Sequence, residues 1–389
     1  MEHERNKALA FCLFEYFPYG GQQRDMLQIA LACQSRGYTV DIYTTSWKGA
    51  RPESLRVHLH RPWALTNHGR MREYHAWVAR RVTKAPPACV IGFNKMPGLD
   101  LYYAADGCYA AKAREQHGRL YRLGPRYRQY RAFEEAVFGR DAKTLILTLS
   151  QAQETPYVRY YGTPAHRMHR LPPNLAQDRM TEQEAPEVRQ IFRRTLGLQE
   201  DDKLLLQLGS RFRTKGLDRS IRALAHLPQA LRARTRLCVV GDDVERPYIR
   251  LARRLGVADR VVFLGPRDDV PRVLMAADLL VHPARQEAAG IVLLEALACG
   301  LPVVASGVCG HAHYLEQARA GWVLPELFDQ DVFDRTVGAA LLRADRREVG
   351  RRGAEFARRV NLCGMVEAAV EVIEAATVQN TKSEIQDWR

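Results

Sequence analysis

Residues 279–305, which read LLVHPARQEAAGIVLLEALACGLPVVA, indicate the fold most clearly. The first four residues form an apolar run typical of a buried strand, and a proline and polar residues follow it. Gly290 then precedes an apolar segment of helix length, residues 291–299, which ends before a second strand-like run at 303–305. Strand, loop, helix and strand in this order predict a parallel sheet with crossover helices.

The same order recurs along the whole chain. In the second half, further strand-like runs lie at residues 203–208, 236–240 and 261–264, and a glycine follows each of them. In the first half, strand-like runs lie at residues 9–14, 38–44, 89–93, 101–105 and 145–149. We therefore predict an α/β fold with two Rossmann-like, doubly wound domains that face each other across a cleft. The double proline in Leu171-Pro172-Pro173-Asn174 predicts the boundary between them.

Composition excludes several classes of protein. The chain has 389 residues, of which 46% are hydrophobic and 26% charged, so it is not a disordered chain. No apolar run is long enough to span a membrane, and acidic residues near the start argue against a signal peptide. The eight cysteines lack metal-site spacing, and we expect reduced thiols in the cytoplasm. The net charge of +14 predicts a polyanionic neighbour: nucleic acid, a membrane surface or a phosphorylated substrate.

Two carboxylates are the strongest chemical signal of the second half. Glu287 lies on the loop before Gly290, and Glu295 lies in the second turn of the predicted helix among leucines and alanines. A buried carboxylate is costly unless it is paired or hydrogen-bonded, and ligand hydroxyls are one way to satisfy it. Backbone N–H groups at the start of this helix suit an anion. They belong to Ala288, Ala289, Gly290 and Ile291.

Two glycine-containing loops are further candidates. Arg211, Arg213 and Lys215 follow the strand at residues 203–208, and they form either a pyrophosphate site or a solvated basic loop. The spacing of a Walker loop is absent. In the first half, Gly20-Gly21 follows the first strand and forms either a tight turn or a loop that a phosphate or sugar can approach.

These residues resemble a known family. Glu287 and Glu295, spaced as E-x7-E and followed by ALACGLPVVA, are similar to the signature of the retaining GT-B glycosyltransferases of family 4. Three blocks narrow the resemblance to glucosyltransferases of the lipopolysaccharide inner core: YFPYGGQQRD at residues 16–25, GFNKMPGLD at 92–100 and CGHAHY at 309–314. The resemblance spans roughly residues 8–375.

The resemblance implies a role for each domain and for single residues of the second one. Residues 1–170 would bind the acceptor, residues 171–362 would bind the nucleotide sugar, and a helix at about 363–378 would return to the first domain before a tail, 379–389. Glu287 would contact hydroxyls of the donor sugar, and Glu295 would hold the ribose. Lys215, with Arg211 or Arg213, would neutralise the pyrophosphate, and Arg267 would recognise the base.

In the first half, the resemblance implies that Gly21 lies close to the donor phosphate. Asp25 and Asp106 would lie near the transferred sugar and the acceptor, and they join Glu287 and Lys215 as the candidate catalytic residues. Arg179 would lie by the interdomain linker. Two positions depart from the family pattern: Arg211 stands at a variable position, and Asn174 stands where glycine is common.

We expect neither a metal nor a cofactor besides the donor substrate, UDP-glucose. Lysine, arginine and a helix N-terminus can stabilise a leaving diphosphate without a metal. His311-x-His313 is the nearest candidate for a metal ligand pair. Retention permits either front-face attack or double displacement through a carboxylate, and the sequence leaves both open.

A basic patch lies at residues 111–131, AKAREQHGRLYRLGPRYRQYR, with a net charge of +6. Its tyrosines suit an anionic membrane surface or single-stranded nucleic acid, and a merely solvated face is the third alternative. The acceptor favours the membrane, because a lipid-anchored saccharide has to be reached there. The cations of this patch are Lys112, Arg114, Arg119, Arg122, Arg126, Arg128 and Arg131.

The resemblance thus implies a retaining, metal-independent glucosyltransferase that moves glucose from UDP-glucose to an inner-core heptose in α-1,3 linkage. Another UDP-hexose as donor, or a nucleotide-sugar epimerase or binding protein of the same fold, stays an alternative. The expected partners are the donor, the lipopolysaccharide acceptor, the anionic cytoplasmic face of the inner membrane and other core-assembly enzymes. Nucleic acid is not expected, since no RNA-binding motif is present.

Overall fold

The structure is a computed structural model, and it describes residues 7–18, 20–175 and 185–386. The described residues divide into two units. One comprises the residues up to Asn174 together with those from Gly364 onward, and the other is Leu175–Cys363. The change of unit follows the Leu171-Pro172-Pro173-Asn174 stretch, in which two prolines favour extended backbone. Arg179 lies outside the described residues.

The first unit is built on a parallel sheet. Its strands are β1 (Ala8–Cys12), β2 (Glu15–Tyr16), β3 (Thr39–Thr44), β4 (Ser46–Trp47), β5 (Arg56–Leu59), β6 (Cys89–Gly92), β7 (Leu101–Tyr103), β8 (Leu145–Thr148) and β9 (Met168–Arg170). Seven of them form one sheet in the order β5-β3-β1-β6-β7-β8-β9, while β2 pairs with β4. Leu9 and Phe11 of β1 are fully buried, as a central strand covered on both faces requires.

Helices connect these strands, as the sequence predicts. They are α1 (Gly21–Ser35), α2 (Asn67–Lys84), α3 (Tyr109–Gln116), α4 (Pro125–Phe138) and α5 (Gln151–Tyr161). Thr66 caps α2, since its hydroxyl accepts a hydrogen bond of 3.2 Å from the backbone N–H of Gly69. A short 3₁₀ turn, Arg119–Leu123, links α3 to α4.

The second unit repeats the architecture. Its strands are β10 (Lys203–Leu208), β11 (Thr235–Val240), β12 (Val261–Phe263), β13 (Leu279–His282), β14 (Val303–Ser306) and β15 (Gly321–Leu324), in the order β12-β11-β10-β13-β14-β15. Every pairing is parallel. The α/β prediction is therefore confirmed. The sequence missed the edge strands β5, β9 and β15, because strands with a partly exposed face carry no continuous apolar run.

The helices of the second unit surround this sheet. They are α6 (Ala185–Thr195), α7 (Phe212–Lys215), α8 (Leu217–His226), α9 (Gln229–Ala233), α10 (Arg246–Arg254), α11 (Val270–Ala276), α12 (Ile291–Ala298), α13 (Ala312–Ala318), α14 (Gln330–Leu342) and α15 (Arg346–Arg359). The helix predicted after Gly290 is present as α12. The basic segment after β10 differs from the expected open loop, because four of its residues form the helical turn α7.

The last helix, α16 (Met365–Gln386), belongs to the first unit, as the resemblance implies. Met365, Ala369 and Ile373 lie in the core that contains α1 and the sheet of that unit. Arg36, which follows α1, bonds Glu374 of α16 over 2.6 Å. These apolar residues thus form the face that α16 buries.

A buried charge pair ties several elements of the first unit together. Lys95, on the loop after β6, contacts Glu134 of α4 over 2.6 Å, and the Glu134 side chain is completely buried. Glu134 also accepts hydrogen bonds from the backbone N–H groups of Tyr109 and Ala110 at the start of α3, and from the Tyr161 hydroxyl of α5. Burial favours the neutral acid, but Lys95 and these donors outweigh it and lower the pKa of Glu134.

We predict that Lys95→Met destabilises the first unit by about 3–5 kcal/mol, because it leaves a buried carboxylate without its counter-ion. Urea unfolding followed by circular dichroism measures this change. The control is Arg351→Met in α15, whose ion pairs with Glu348 and Glu355 are exposed to solvent, so that its loss should change the free energy of unfolding far less. Equal effects of the two substitutions would contradict the structural role of the Lys95–Glu134 pair.

Candidate active site

Two loops of the second unit meet because the strands that precede them are neighbours. β10 and β13 pair in parallel, so the segments after Leu208 and His282 leave the same edge of the sheet. Gly216, at the end of the first segment, has φ +75°, and a Cβ atom there would lie 2.1 Å from the carbonyl oxygen of Pro283. A larger residue at position 216 would therefore separate the two loops.

Side-chain and backbone hydrogen bonds hold the two loops together. The backbone N–H of Arg285 donates to the carbonyl of Thr214 over 2.8 Å. The Arg285 guanidinium donates to Asp218 of α8 with both terminal nitrogens, over 2.7 and 2.8 Å. Gln207, completely buried in β10, donates to the carbonyl of Lys215 over 2.9 Å. The position of Lys215 is thus set by contacts on both sides of it.

This approach joins Lys215, Glu287 and His282. The Lys215 ammonium donates to Oε2 of Glu287, and Nε2 of His282 lies 3.2 Å from the same oxygen. Burial alone would raise the pKa of Glu287, but the Lys215 charge and the His282 hydrogen bond hold it at about 2. Glu287 is therefore ionised at neutral pH, and neither donor uses its Oε1 oxygen.

His282 acts in this cluster as a neutral donor. Its side chain is completely buried, and burial lowers its pKa. Since Glu287 is ionised, we assign the proton of His282 to Nε2, from which it is donated to the carboxylate. Nδ1 is buried and has no hydrogen-bond partner among the residues that the structure describes. The histidine thus orients Glu287 without adding a second positive charge.

Glu287 stands directly before the N-terminus of α12. Gly290, with φ +88°, turns the chain into this helix, which begins at Ile291. The segment that follows β14 holds residues 287–289 in place, because the backbone N–H of His311 donates to the carbonyl of Ala289 over 2.8 Å. Glu295 lies inside α12 and is only 6% exposed, as its apolar neighbours predict. The helix start, with Ala288 to Ile291, therefore lies beside the Lys215–Glu287 pair.

The other predicted cations of the second unit have different surroundings. Arg211 and Arg213 are exposed at either side of the start of α7. Arg211 has φ +58°, a left-handed conformation that is unfavourable for arginine and is found preferentially at functional sites. Arg267 donates to both carboxylate oxygens of Asp269 over 2.7 Å. Among these cations, and within the part of the chain that the structure describes, only Lys215 contacts a predicted catalytic carboxylate.

In the first unit, Asp25 of α1 is held by two donors. The Tyr103 hydroxyl donates to Oδ2 and the Asn174 amide to Oδ1, both over 2.7 Å. Asn174 also donates to Gln28 over 2.7 Å. The asparagine that departs from the family pattern thus links the end of the first segment to α1, which a glycine could not do. Burial raises the pKa of Asp25.

Asp106 lies on the loop between β7 and α3, and its side chain is exposed. Its carbonyl accepts hydrogen bonds from the Tyr157 hydroxyl over 2.9 Å and from Gln153 over 3.3 Å. Lys95 donates to the next carbonyl, that of Gly107, over 2.7 Å. The backbone under Asp106 is therefore fixed by buried side chains. Gly21 is the first residue of α1, is exposed, and has open space where a Cβ atom would be.

The basic patch covers α3, the 3₁₀ turn and the first half of α4. Six of its seven cations are exposed, and Arg122 is partly exposed. The tyrosines differ from expectation: Tyr127 is buried, and Tyr121 shares a hydrogen bond of 2.9 Å with Tyr109, so they pack against each other. The exposed apolar groups are instead Leu120 and Leu123. A surface cavity of about 310 Å³ is lined by Arg122, Tyr127, Arg128, Arg131, Ala132 and Glu135.

Two residues of the site carry roles that the sequence did not reveal. The sequence patterns single out neither His282 nor Gln207 as a site residue. Each is a polar residue in an otherwise apolar, buried strand, which is the signal that could have identified it. Within residues 7–18, 20–175 and 185–386, no three His, Cys, Asp or Glu side chains are grouped as a metal site requires. In the same residues, no helix has the length and apolarity needed to cross a membrane.

Comparison with known proteins identifies the family. The profile of the group 1 glycosyl transferases matches residues 188–355. The lipopolysaccharide glucosyltransferase WaaG of Escherichia coli K12 is 45% identical over 366 residues, which are 94% of this chain and 98% of that protein. The crystal structure of WaaG, a glycosyltransferase involved in lipopolysaccharide biosynthesis, superposes with a TM-score of 0.89 at 44% identity and covers 94% of this chain and 99% of its own.

A more distant structure agrees in fold. Anabaena HepE in complex with UDP and glucose has a TM-score of 0.72 at 19% identity, covering 95% of this chain and all of that one. Because a relative that is 45% identical along nearly its whole length accompanies this GT-B architecture, the chain belongs to the group 1 glycosyl transferases, in the family of the lipopolysaccharide glucosyltransferase WaaG, and is a hexosyltransferase.

Proposed function

We propose that this chain transfers glucose from UDP-glucose to a heptose of the lipopolysaccharide inner core, with retention of configuration and in α-1,3 linkage. The observation that carries the proposal is the Lys215–Glu287–His282 cluster beside the start of α12, in a chain that is 45% identical to WaaG. We further propose that the second unit binds the donor and that the first unit binds the acceptor.

The cluster supplies the two interactions that glycosyl transfer needs. As the bond to the sugar breaks, negative charge develops on the departing diphosphate, and Lys215 with the N–H groups at the start of α12 stabilises it. Arg211 and Arg213 lie shortly before Lys215 in the sequence, and their exposed side chains add positive charge. Glu287 stays ionised, and its Oε1 accepts hydrogen bonds from sugar hydroxyls while His282 holds Oε2. This arrangement stabilises the leaving group without a metal.

The remaining residues bind and position the substrates. Glu295 holds the ribose hydroxyls, Arg267 lies at the base, and Arg179 lies by the linker. In the first unit, Gly21 permits close approach of the donor phosphate, and Asp25 and Asp106 contact the transferred sugar and the acceptor. The raised pKa of Asp25 suits a carboxyl group that exchanges a hydrogen bond with a sugar hydroxyl.

The basic patch docks the enzyme on the cytoplasmic face of the inner membrane. Its exposed cations attract anionic headgroups, and Leu120 and Leu123 supply apolar contacts. The acceptor is anchored in that membrane by its lipid, so docking brings it within reach. Other enzymes of core assembly, which act on the same lipid, would meet this one at that surface.

The reaction itself is tested by incubating the protein with labelled UDP-sugars and a heptose-terminated core acceptor, followed by linkage analysis. We expect transfer of glucose, UDP release only with acceptor, and unchanged rates in excess EDTA. UDP-galactose and UDP-N-acetylglucosamine are the comparison donors. Faster transfer from either of them, UDP release without acceptor, or a loss of activity in EDTA would each overturn a part of the proposal.

Glu287 and Glu295 should affect different kinetic constants. We predict that Glu287→Gln lowers kcat about 10²–10³-fold and leaves UDP affinity within a few fold, because the lost charge contacts the transferred sugar. Glu295→Gln should weaken UDP binding about tenfold and change kcat little. Steady-state kinetics and calorimetric UDP titration measure the two effects. Near-normal turnover of the Glu287 variant with intact donor binding would refute its assignment.

The docking role is tested by co-sedimentation with vesicles at two salt concentrations. Arg119→Gln, Arg126→Gln and Arg128→Gln together should weaken binding to anionic vesicles roughly a hundredfold, at about 1 kcal/mol per cation. The matched control replaces three exposed cations of α10, Arg250, Arg253 and Arg254, with glutamine. Equal binding to neutral vesicles, or equal losses in both triple variants, would exclude specific electrostatic docking.

A further inference from the structure

The loop between β5 and α2 exposes two large apolar side chains. Trp63 is 91% exposed and Leu65 is fully exposed. Arg61, on the same loop, is exposed as well. A tryptophan normally buries most of its surface, so a loop that keeps Trp63 and Leu65 in water has an apolar surface that a partner can cover.

The backbone of this loop is held in place. At its start, the His60 ring stacks on Trp77 of α2 with ring centroids 5.1 Å apart. In its middle, the backbone N–H of Trp63 donates to Glu73 of α2 over 2.7 Å. At its end, Thr66 caps α2. Trp63 and Leu65 are therefore exposed although the backbone of their loop is held in place.

The loop lies at the same edge of the first unit as the basic patch. α2 leads into β6 and α4 leads into β8. Because β6 and β8 are parallel strands of one sheet, the two helices run in the same direction. They touch at His75 and Phe133, whose ring centroids are 5.3 Å apart. Each of these residues lies eight positions after the first residue of its helix, Asn67 or Pro125. Both helices thus begin roughly 12 Å before the contact.

This placement puts Trp63 and Leu65 beside the exposed part of the patch. The residues that precede Pro125 include Leu120 and Leu123, which are 82% and 63% exposed. Four exposed apolar side chains and the surrounding cations therefore share one edge of the unit. Amphipathic tryptophan next to arginine is the composition of protein surfaces that lie in the headgroup region of a bilayer.

We propose that the β5–α2 loop is a second membrane contact, in which Trp63 and Leu65 insert into the interfacial region of an anionic bilayer while the basic patch binds its headgroups. The inference rests on the proposed docking of that patch. The occupant is a lipid surface rather than a protein, because the apolar side chains stand next to a concentration of positive charge that matches anionic headgroups.

Insertion and headgroup binding differ in their response to salt. Removing apolar groups weakens binding by a factor that salt changes little, whereas the effect of removing exposed cations shrinks as salt increases. We therefore expect Trp63→Ser with Leu65→Ser to weaken binding to vesicles of 30% phosphatidylglycerol in phosphatidylcholine about tenfold at both 50 and 300 mM salt. The patch triple variant should lose most at 50 mM.

The matched control is Leu327→Ser with Leu342→Ser, which removes two exposed leucines of the second unit, 90% and 66% exposed, and should bind like the wild type. A second readout follows Trp63 directly. On vesicle binding, tryptophan emission should shift to shorter wavelength and be quenched by brominated lipid. Trp63→Phe should lose this signal and keep most of the binding, since phenylalanine inserts as well.

Transfer of glucose to a water-soluble, deacylated acceptor separates the outcomes. If the loop variant keeps this activity and loses vesicle binding as described, the inference holds. Wild-type vesicle binding by the loop variant, or no shift in tryptophan emission, overturns it even when the patch variant still fails to bind. Loss of transfer to the soluble acceptor also overturns it, by assigning the loop to the acceptor site. Loss of binding to another core-assembly enzyme with intact vesicle binding would assign the loop to a protein.

Discussion

The chemistry of the second unit depends on one close approach, that of the loop after β10 to the loop after β13. Gly216 packs against the carbonyl of Pro283 at a distance that no side chain permits. This contact brings Lys215 to Glu287, and the ammonium keeps the carboxylate ionised in a site that is largely withdrawn from water. His282 then orients the same carboxylate without a charge of its own. The contact between the two loops also fixes the positions of the start of α12 and of the basic turn α7.

In the first unit, a buried ion pair holds several segments together. Lys95 and Glu134 form a buried ion pair whose remaining hydrogen-bonding capacity is used by the start of α3, by Tyr161 and by the carbonyl of Gly107. A buried pair of this kind is a costly way to gain stability, but it specifies one arrangement of the segments it joins. Those segments carry Asp106 on one side and the basic patch on the other.

On the surface of the first unit, the exposed apolar groups are leucines and a tryptophan rather than the tyrosines of the basic patch. The tyrosines of the patch pack on one another and on Tyr109, and they are buried or only partly exposed. Leucines on the 3₁₀ turn and Trp63 and Leu65 on the neighbouring loop provide the exposed apolar groups. Charge gives long-range attraction that salt weakens, and apolar groups give short-range adhesion that salt leaves intact.

The alternation of strands and helices, the two units and the helix α12 that carries Glu295 could be predicted from the sequence, because they follow from local apolar periodicity and from glycine and proline. The edge strands β5, β9 and β15, whose apolar signal is short, and the roles of His282 and Gln207 were missed. Tertiary packing alone establishes that Lys215 and Glu287, 72 residues apart, share one hydrogen bond, and that α2 touches α4 at His75 and Phe133. Such contacts depend on which strands and helices become neighbours, and that choice is made by the packing of the whole unit rather than by any local stretch of the chain.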